Sequence, residues 1–366
     1  MPVRIEFLKK DSDAAWDAYV LNQPRATPYH LSGWRRAIER IYGHRSYCLI
    51  ALRDPADSSD AGPGGIAGVL PLIHLKHFLF GNSLISLPFC DMGGVITDDD
   101  ATEDALVRRA IRLARDVGCE MIELRHAFPH ACLSEGEGIS TDEQVRIITR
   151  QHKVRMLREV MPSSEELMRS FKAKLRSQIR RPMKEGLSAV VGGGELLDDF
   201  YEVFARNMRD LGSPVHSKRF VGAVSEELSE RSKLVVVYHE KRPLACGMVI
   251  GCGDTLENPW ASALHEYSRM SPNMLLYWAM LEYACDSGYR YFDFGRSSPG
   301  EGTYRFKEQW EARPSPLCWD YITTGRGGIP GGEEGRGRRI AAAFWRRLPV
   351  SLTRLMGPAM RKHIGL

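Results

Sequence analysis

Short apolar strands alternate with amphipathic helices along most of this 366-residue chain, in a similar order in its two halves. In the first half, a helix predicted over 100–117 precedes a buried strand predicted over 119–124. In the second half, a helix predicted over 272–287 precedes an aromatic strand predicted over 289–294. This alternation predicts an α/β fold with mixed sheets, built as two structurally similar domains.

The other predicted elements follow the same plan. In the first half we expect strands over 3–7, 46–53 and 65–75 and helices over 13–21 and 32–42, the second with Ser32 as its N-cap. In the second half we expect strands over 153–157, 187–191, 234–239, 244–252 and 259–265, and helices from Ser163, over 196–211 and over 217–228. The segment 54–65, rich in Asp, Ser, Gly and Pro, is typical of a mobile hairpin loop.

Length and composition divide the chain into three parts. Because 366 residues are about twice the usual domain size, we expect an N-terminal domain over 1–152 and a C-terminal domain over 153–324. Residues 325–366 are predicted to form a Gly-rich, flexible linker followed by a basic amphipathic tail.

Charge is distributed unevenly. The net charge is +4, and residues 336–366 contain eight Lys or Arg and no acid, which leaves −4 (4 − 8) for the rest. The acidic body argues against DNA or general nucleic-acid binding. The tail suits an anionic membrane surface, with Phe344 and Trp345 at the level of the lipid headgroups. The alternative is a helix packed on the body or a disordered end.

Eight cysteines occur singly, with no CxxC pair and no His/Cys spacing typical of zinc. This pattern predicts reduced core cysteines and no metal site. The N-terminus lacks a signal-peptide core, and no run approaches the roughly 18 apolar residues that span a bilayer. We therefore expect a cytoplasmic protein, with peripheral attachment to the inner face of the cytoplasmic membrane as an option for the tail.

The strongest candidate for chemistry follows the aromatic strand 289–294. A loop rich in Gly and Ser brings Lys307 between Phe306 and Trp310. A cation on an apolar platform after a strand suits an anion, including the oxyanion of acyl transfer or a donor phosphate. The alternative is a surface lysine lying over the two rings.

Other polar residues of this segment have more than one interpretation. Asp293 is expected to pair with Arg296 and so brace the loop. Alternatively, Asp293 accepts the proton of an attacking amine, directly or through water. Tyr304 could donate to the same oxyanion or orient the substrate.

Two further groups could contact substrate. Lys172, Arg176, Arg180 and Lys184 recur at helical spacing and could hold a diphosphate, an acidic glycan or a tRNA acceptor stem, unless they are a solvated helix face. Candidates for a cleft between the halves, each of which could equally be a packing residue, are Trp34, Arg209, His216, Trp260 and Tyr277.

A series of motifs over about 300 residues resembles the FemAB-type branch of the GNAT acyltransferase superfamily, and in particular the FemAB-like proteins associated with the PEP-CTERM/exosortase exopolysaccharide system. The segments that carry the resemblance include Tyr42-Gly-His44, Ile122-Glu-Leu-Arg125, Pro259-Trp-Ala-Ser262, Ser271-Pro-Asn-Met274, Phe292-Asp-Phe-Gly-Arg-Ser297 and Phe306-Lys307. The resemblance implies tandem GNAT-like domains and transfer of an acyl or aminoacyl group to an amine. It also carries over Lys307, which stands in a matching Phe-Lys context.

The segment equivalent to the coenzyme A pyrophosphate loop departs from the GNAT pattern. Ser271 and Asn273, predicted to bind substrate, flank Pro272, which removes one backbone donor, and no glycine is present. This departure argues against acetyl-CoA as the donor. The resemblance implies acyl-CoA or aminoacyl-tRNA as the co-substrate and leaves the choice between them open, with no tightly bound cofactor expected.

These observations predict an acyltransferase that acts on an amine of a cell-envelope or exopolysaccharide precursor, a small molecule or a lipid-linked glycan. No Ser-His or Cys-His pattern indicates a covalent intermediate. One alternative is a non-catalytic FemAB-like scaffold or glycan-binding protein. Another is a tRNA-dependent transferase acting on peptidoglycan or lipid, although the acidic body does not favour tRNA.

Overall fold

The protein is described here by a computed structural model covering residues 3–9, 11–53, 65–77, 81–130, 133, 145–323 and 336–365. Residues 54–64 of the expected hairpin loop, residues 325–335 of the linker expected over 325–338, and Cys132 lie outside the described residues. The last three residues of that linker belong to a helix. The strands are β1 (Val3–Phe7), β2 (Arg45–Arg53), β3 (Ile66–His77), β4 (Gly81–Ile85), β5 (Ile96–Thr97), β6 (Met121–His126), β7 (Arg146–Arg150), β8 (Val154–Glu159), β9 (Leu187–Gly192), β10 (Ser232–His239), β11 (Arg242–Cys252), β12 (Thr255–Ala263), β13 (Tyr291–Ser297), β14 (Arg313–Pro316) and β15 (Cys318–Thr323). The helices are α1 (Asp13–Leu21), α2 (Ser32–Tyr42), α3 (Asp100–Asp116), α4 (Ser164–Ser170), α5 (Ala173–Lys184), α6 (Leu197–Leu211), α7 (Lys218–Glu227), α8 (Pro272–Asp286), α9 (Gly302–Glu308), α10 (Arg336–Trp345) and α11 (Val350–Arg361).

The described residues form two compact units. The first lies within Met1–Val154, Ser315–Gly332 and His363–Leu366, and the second within Arg155–Pro314 and Glu333–Lys362. Each unit has one mixed sheet. The strand order is β1-β2-β3-β4-β6-β15-β7 in the first, with β5 added to β3, and β14-β8-β13-β12-β11-β10-β9 in the second.

The two sheets share a plan that confirms the predicted repeat. In each, four neighbouring strands pair antiparallel, β1 to β4 in the first sheet and β9 to β12 in the second. The fourth strand then pairs in parallel with a later strand, β4 with β6 and β12 with β13. A long helix, α3 or α8, precedes that parallel strand because such a connection needs a crossover.

One strand lies in a different unit from the one that its place in the chain suggests. The expected C-terminal domain, 153–324, includes β15, which pairs antiparallel with β6 and β7 of the first sheet. In the second sheet, the position next to the parallel strand β13 is taken by β8. Pairing over such a distance in the chain leaves no local sequence signal.

Ser163 and Ser271 stand at the N-cap positions of α4 and α8, whereas the predicted N-cap of α2, Ser32, is the first residue of that helix. The hydroxyl of Ser163 accepts a hydrogen bond from the backbone N–H of Glu166 and caps α4. Ser32 is not the N-cap of α2, because its hydroxyl donates to Asp17 at 2.6 Å. Ser271 precedes α8 in a left-handed conformation, without a side-chain cap.

The tail does not form the single amphipathic helix that its pattern suggested. It forms α10 and α11, separated around Pro349, and Trp345 is buried instead of facing a lipid surface. Some apolar side chains of the tail are therefore buried against the protein, and others are exposed. Among the described residues, every helix is too short or too polar to cross a membrane.

We predict that Leu106→Ala lowers the free energy of unfolding by about 2–5 kcal/mol, because Leu106 of α3 is fully buried in the core of the first unit. Urea unfolding followed by circular dichroism measures the loss. In the control Leu355→Ala, the side chain is 77% exposed, so the change should stay within about 0.5 kcal/mol. Equal losses in both variants would contradict this assignment of the core.

Candidate active site in the second unit

The parallel strands β12 and β13 pair over only three residues. The register runs from Thr255 opposite Tyr291 to Glu257 opposite Asp293, although β12 continues to Ala263 and β13 to Ser297. Beyond this point the backbone groups of β13 need other partners. The separation therefore creates a position where peptide groups and side chains can meet a ligand.

Lys307 lies at this strand end. Its ammonium donates to the carbonyl oxygens of Gly295 at 3.0 Å and Arg296 at 2.8 Å, and the residue is 7% exposed. It belongs to the short helix α9, not to a loop as the Gly-rich sequence suggested. Lys307 is thus a buried cation fixed at the end of β13, and not a surface lysine.

Asp293 has a different partner from the one expected. Its Oδ2 lies 2.9 Å from Nε of Arg155 on β8, an ion pair that lacks the alignment of a hydrogen bond. Its Oδ1 accepts the backbone N–H of Gly295 at 2.8 Å. The prediction that Arg296 pairs with Asp293 was therefore wrong, and the fully buried carboxylate acts as a brace for the strand end.

Aromatic rings surround this strand end. Tyr277 of α8 stacks on Phe294 with centroids 5.5 Å apart and meets Phe306 edge-on at 5.1 Å. Trp310 lies 6.3 Å from Phe306 and 6.5 Å from Phe294. Burial raises the pKa of Tyr277, so its phenol is neutral at physiological pH. Tyr277 therefore belongs to a rigid apolar wall next to the Lys307 segment.

Two hydroxyl groups accompany Lys307. Tyr304 lies on α9, three residues before Lys307 and on the same side of the helix, and is half-buried. Ser297, the last residue of β13, is buried, and its hydroxyl has no hydrogen-bond partner among the described residues. A buried hydroxyl without a partner is costly, so a ligand or water is expected to satisfy it. Ser297 was not predicted as a site residue, although its position at a strand end was a usable signal.

Basic side chains lie beside the N-terminus of α8. Arg181 of α5 donates to the carbonyl oxygen of Arg269, just before α8, at 3.0 Å. Of the predicted stripe, Lys172, Arg180 and Lys184 are exposed, as is Asn273 on α8. Arg181 is also paired with Glu185 at 2.8 Å, so the exposed positive charge at this end of α5 is that of Arg180 and Lys184, which suits phosphate.

Arg176 and Ser271 differ from the other predicted contacts on this surface. The guanidinium of Arg176 donates to the carbonyl oxygens of Phe171 at 3.1 Å and Arg169 at 3.3 Å. Arg176 therefore caps the end of α4. Ser271 is half-buried and lies immediately before α8.

The remaining candidates divide between the two units. Trp34 is a fully buried core residue of the first unit and offers no ring face to a ligand. His216 and Trp260 meet at 5.8 Å, and burial lowers the pKa of His216, so its ring is neutral. Arg209 donates to the carbonyl oxygen of Leu348 at 3.0 Å and holds the tail.

Residues 169–308 match the model of a protein family described as the acetyltransferase (GNAT) domain. The match includes β12, β13 and Lys307, and it identifies a GNAT-type acyltransferase domain in the second unit. No curated protein matches the sequence at a significant level.

Solved structures give the same class of fold. The chain is similar to FemX (TM-score 0.64, 15% identity, 87% of this chain and 96% of FemX). It is also similar to a tandem GNAT protein from the clavulanic acid biosynthesis pathway (TM-score 0.55, 12% identity, 89% of this chain and 100% of that protein). A third similar structure is the C-terminal domain of a putative lysylphosphatidylglycerol synthetase from Agrobacterium fabrum (TM-score 0.55, 13% identity, 95% of this chain and 97% of that domain). At these identities the likeness concerns the fold, and it confirms the predicted tandem GNAT-like class.

Replacing Asp293 with alanine tests its role as a brace. Loss of the buried partner of Arg155 should lower the free energy of unfolding by about 3–5 kcal/mol in urea unfolding experiments. Glu165→Ala is the control, because Glu165 pairs with Arg169 at 3.4 Å on the surface, and should change it by less than about 1 kcal/mol. If Asp293→Ala were as stable as the control, the brace would be refuted.

Proposed function

We propose that the protein transfers an acyl or aminoacyl group to an amine of a cell-envelope or exopolysaccharide precursor, and that the reaction occurs at the end of β13. The observation that carries the proposal is the buried ammonium of Lys307, fixed where β12 and β13 separate. A preorganised cation in a position of low solvent exposure is suited to charge that develops during a reaction.

The proposed reaction is a direct attack on the acyl donor. The amine nitrogen attacks the carbonyl carbon, a C–N bond forms, and the carbonyl electrons move onto oxygen. The positive charge of Lys307 stabilises this oxyanion, and the hydroxyl groups of Ser297 and Tyr304 add donors. Collapse breaks the bond to the sulfur or ester oxygen of the donor, which leaves with the proton that the amine loses. Because Asp293 is committed to Arg155 and Gly295, we assign it to positioning and not to proton transfer.

For the donor, we propose acyl-CoA or aminoacyl-tRNA held through phosphate. The support is the exposed positive charge of Arg180 and Lys184 on α5 and the contact of Arg181 with Arg269 near α8. GNAT-type domains use acyl-CoA, whereas the name of one structural neighbour, lysylphosphatidylglycerol synthetase, indicates aminoacyl transfer. The exopolysaccharide acceptor is proposed from the motif resemblance.

Lys307→Met should lower the rate of transfer at least about 100-fold, since it removes the charge that stabilises the oxyanion. Mass spectrometry of amine acceptors, including a lipid-linked glycan, incubated with acyl-CoA or aminoacyl-tRNA measures the transfer. The variant should fold but be less stable, because two carbonyl groups lose their donor.

Lys174→Met serves as the control for Lys307→Met, because Lys174 is exposed on α5. Full transfer by Lys307→Met would remove the proposed role of Lys307. If the wild-type protein produced no mass shift with any donor, the protein would be a scaffold. Loss of transfer after ribonuclease treatment would identify aminoacyl-tRNA as the donor.

We also propose that the tail attaches the protein to the inner face of the cytoplasmic membrane. Helices α10 and α11 pack on the rest of the second unit. Trp345 of α10 is buried, and Arg354 of α11 donates to the carbonyl oxygen of Glu202 at 3.3 Å. Their outer surface carries large apolar side chains, with Phe344 64% and Leu355 77% exposed. The described residues of these helices include exposed Arg339 and no acid, which favours anionic lipid.

The double variant Phe344→Ser/Leu355→Ser should bind vesicles containing phosphatidylglycerol at least about 10-fold more weakly than the wild type, because it removes two membrane-facing apolar side chains. Co-sedimentation at low and high salt measures the binding. Met183→Ser is the control, since Met183 is also exposed but lies on α5. Equal binding of the two variants, or of the wild type to neutral vesicles, would contradict the proposal.

A further inference from the structure

The first unit contains a pocket of about 360 Å³. Three segments line it: residues 23–30 between α1 and α2, residues 92–103 before and in the first turn of α3, and residues 125–130 at the end of β6. Its volume is at the lower end of the range of ligand sites and suits a molecule the size of a monosaccharide or an amino acid. The family match at 169–308 does not include these residues.

Two of the three histidines in the wall have both ring nitrogens in hydrogen bonds. Nδ1 of His30 accepts the backbone N–H of Thr27 at 3.1 Å, and its Nε2 is 3.1 Å from the carbonyl oxygen of Gly94. Nε2 of His126 accepts the backbone N–H of Val95 at 3.1 Å, and its Nδ1 is 2.8 Å from Asp320. Burial lowers the pKa of His30 to about 4 and also lowers that of His126. Both rings are neutral and shape the pocket.

The third histidine forms a pair with a carboxylate. Nδ1 of His130 lies 2.6 Å from Oε2 of Glu103, which is buried on α3. The centroids of the His130 and His126 rings are 3.9 Å apart. This contact fixes the orientation of the His130 ring in the pocket wall. The Glu103–His130 pair is therefore a fixed feature of the pocket wall, and the carboxylate of Glu103 favours a positive charge placed beside it.

The charge of the lining is acidic. Asp98, Asp99, Asp100 and Glu103 line the pocket. They face two cations of the lining, Arg25 and Arg125. The guanidinium of Arg125 is paired with Glu123 at 2.8 Å, and that of Arg25 lies over the ring of Phe128 at 5.1 Å. This excess of carboxylates favours a cation over an anion.

A metal ion does not fit this arrangement. Among the described residues, no group of three or more His, Cys, Asp or Glu has the geometry to hold one. Gly94 brings the backbone of the loop against the His126 ring, and a side chain at this position would overlap that ring. The pocket thus offers peptide groups, imidazoles and carboxylates, which suit a polar organic molecule with hydroxyl and ammonium groups.

We propose that this pocket binds a small polar molecule that carries a primary ammonium group, with the carboxylates of Glu103, Asp98 and Asp100 as its recognition groups. The ligand site lies wholly within the first unit. It does not depend on the transferase activity proposed for the second unit, because binding alone defines it.

Isothermal titration calorimetry with three amines tests the proposal. D-glucosamine, ethanolamine and 1,5-diaminopentane are each compared with the matched hydroxyl compound, D-glucose, ethylene glycol and 1,5-pentanediol. At least one amine should bind saturably and about 10-fold or more tightly than its hydroxyl counterpart, because a charge-assisted hydrogen bond is lost in the latter. If no amine bound better than its counterpart, or if inorganic phosphate bound better than the amines, the proposal would be overturned.

Variants locate the bound amine. Glu103→Gln and Asp98→Asn should each weaken amine binding about 10-fold, and Glu120→Gln, at an exposed position outside the pocket, should not. Because Asp98 is exposed, its variant should fold even if Glu103→Gln does not. In wild-type protein, the amide NMR signals of Gly94 and Val95 should shift with the amine. Unchanged affinity in Asp98→Asn together with unshifted signals would place the amine elsewhere and refute the site.

Discussion

The second unit depends on how the end of β13 satisfies its backbone groups after β12 has separated from it. Gly295 adopts a left-handed conformation (φ 74°), donates its N–H to Asp293 and accepts a hydrogen bond from Lys307 on its carbonyl oxygen. A Cβ at this position would lie 3.0 Å from the carbonyl oxygen of Asn258, so the backbone conformation and the available space both require glycine. Two opposite charges therefore hold one peptide segment, and the cation is kept where an acyl group could react.

The two units use the same strand position for different chemistry. In the second, the strand that pairs in parallel ends near Lys307 and Ser297. In the first, the equivalent strand β6 ends at His126, beside a pocket with carboxylates and the Glu103–His130 pair. A shared topology thus presents a cation in one unit and an acidic wall in the other.

The local sequence pattern was sufficient to predict the long helices and to single out the charged residues near the end of β13. Helices α3, α6 and α8 differ from their predicted bounds by one residue at one end, because their apolar spacing and their termini agree. Lys307 and Asp293 were recognisable as charges beside an aromatic strand. The partner of Asp293 could not be recognised from the sequence, because Arg155 comes from a distant strand. Helix α9 could not be recognised either, because its first residue is glycine. The pocket of the first unit needs three separate segments, which no single motif could indicate.

The position of β15 has a consequence for biosynthesis. The ribosome must add about 170 residues after Val154 before β15 (Cys318–Thr323) can pair with β6 and β7. At about 5–20 residues per second this takes on the order of 10–30 s, during which the edges of β6 and β7 have no strand between them. The nascent first unit is therefore exposed to wrong strand pairing during translation, and a truncated gene that ends at Val154 would encode an incomplete sheet.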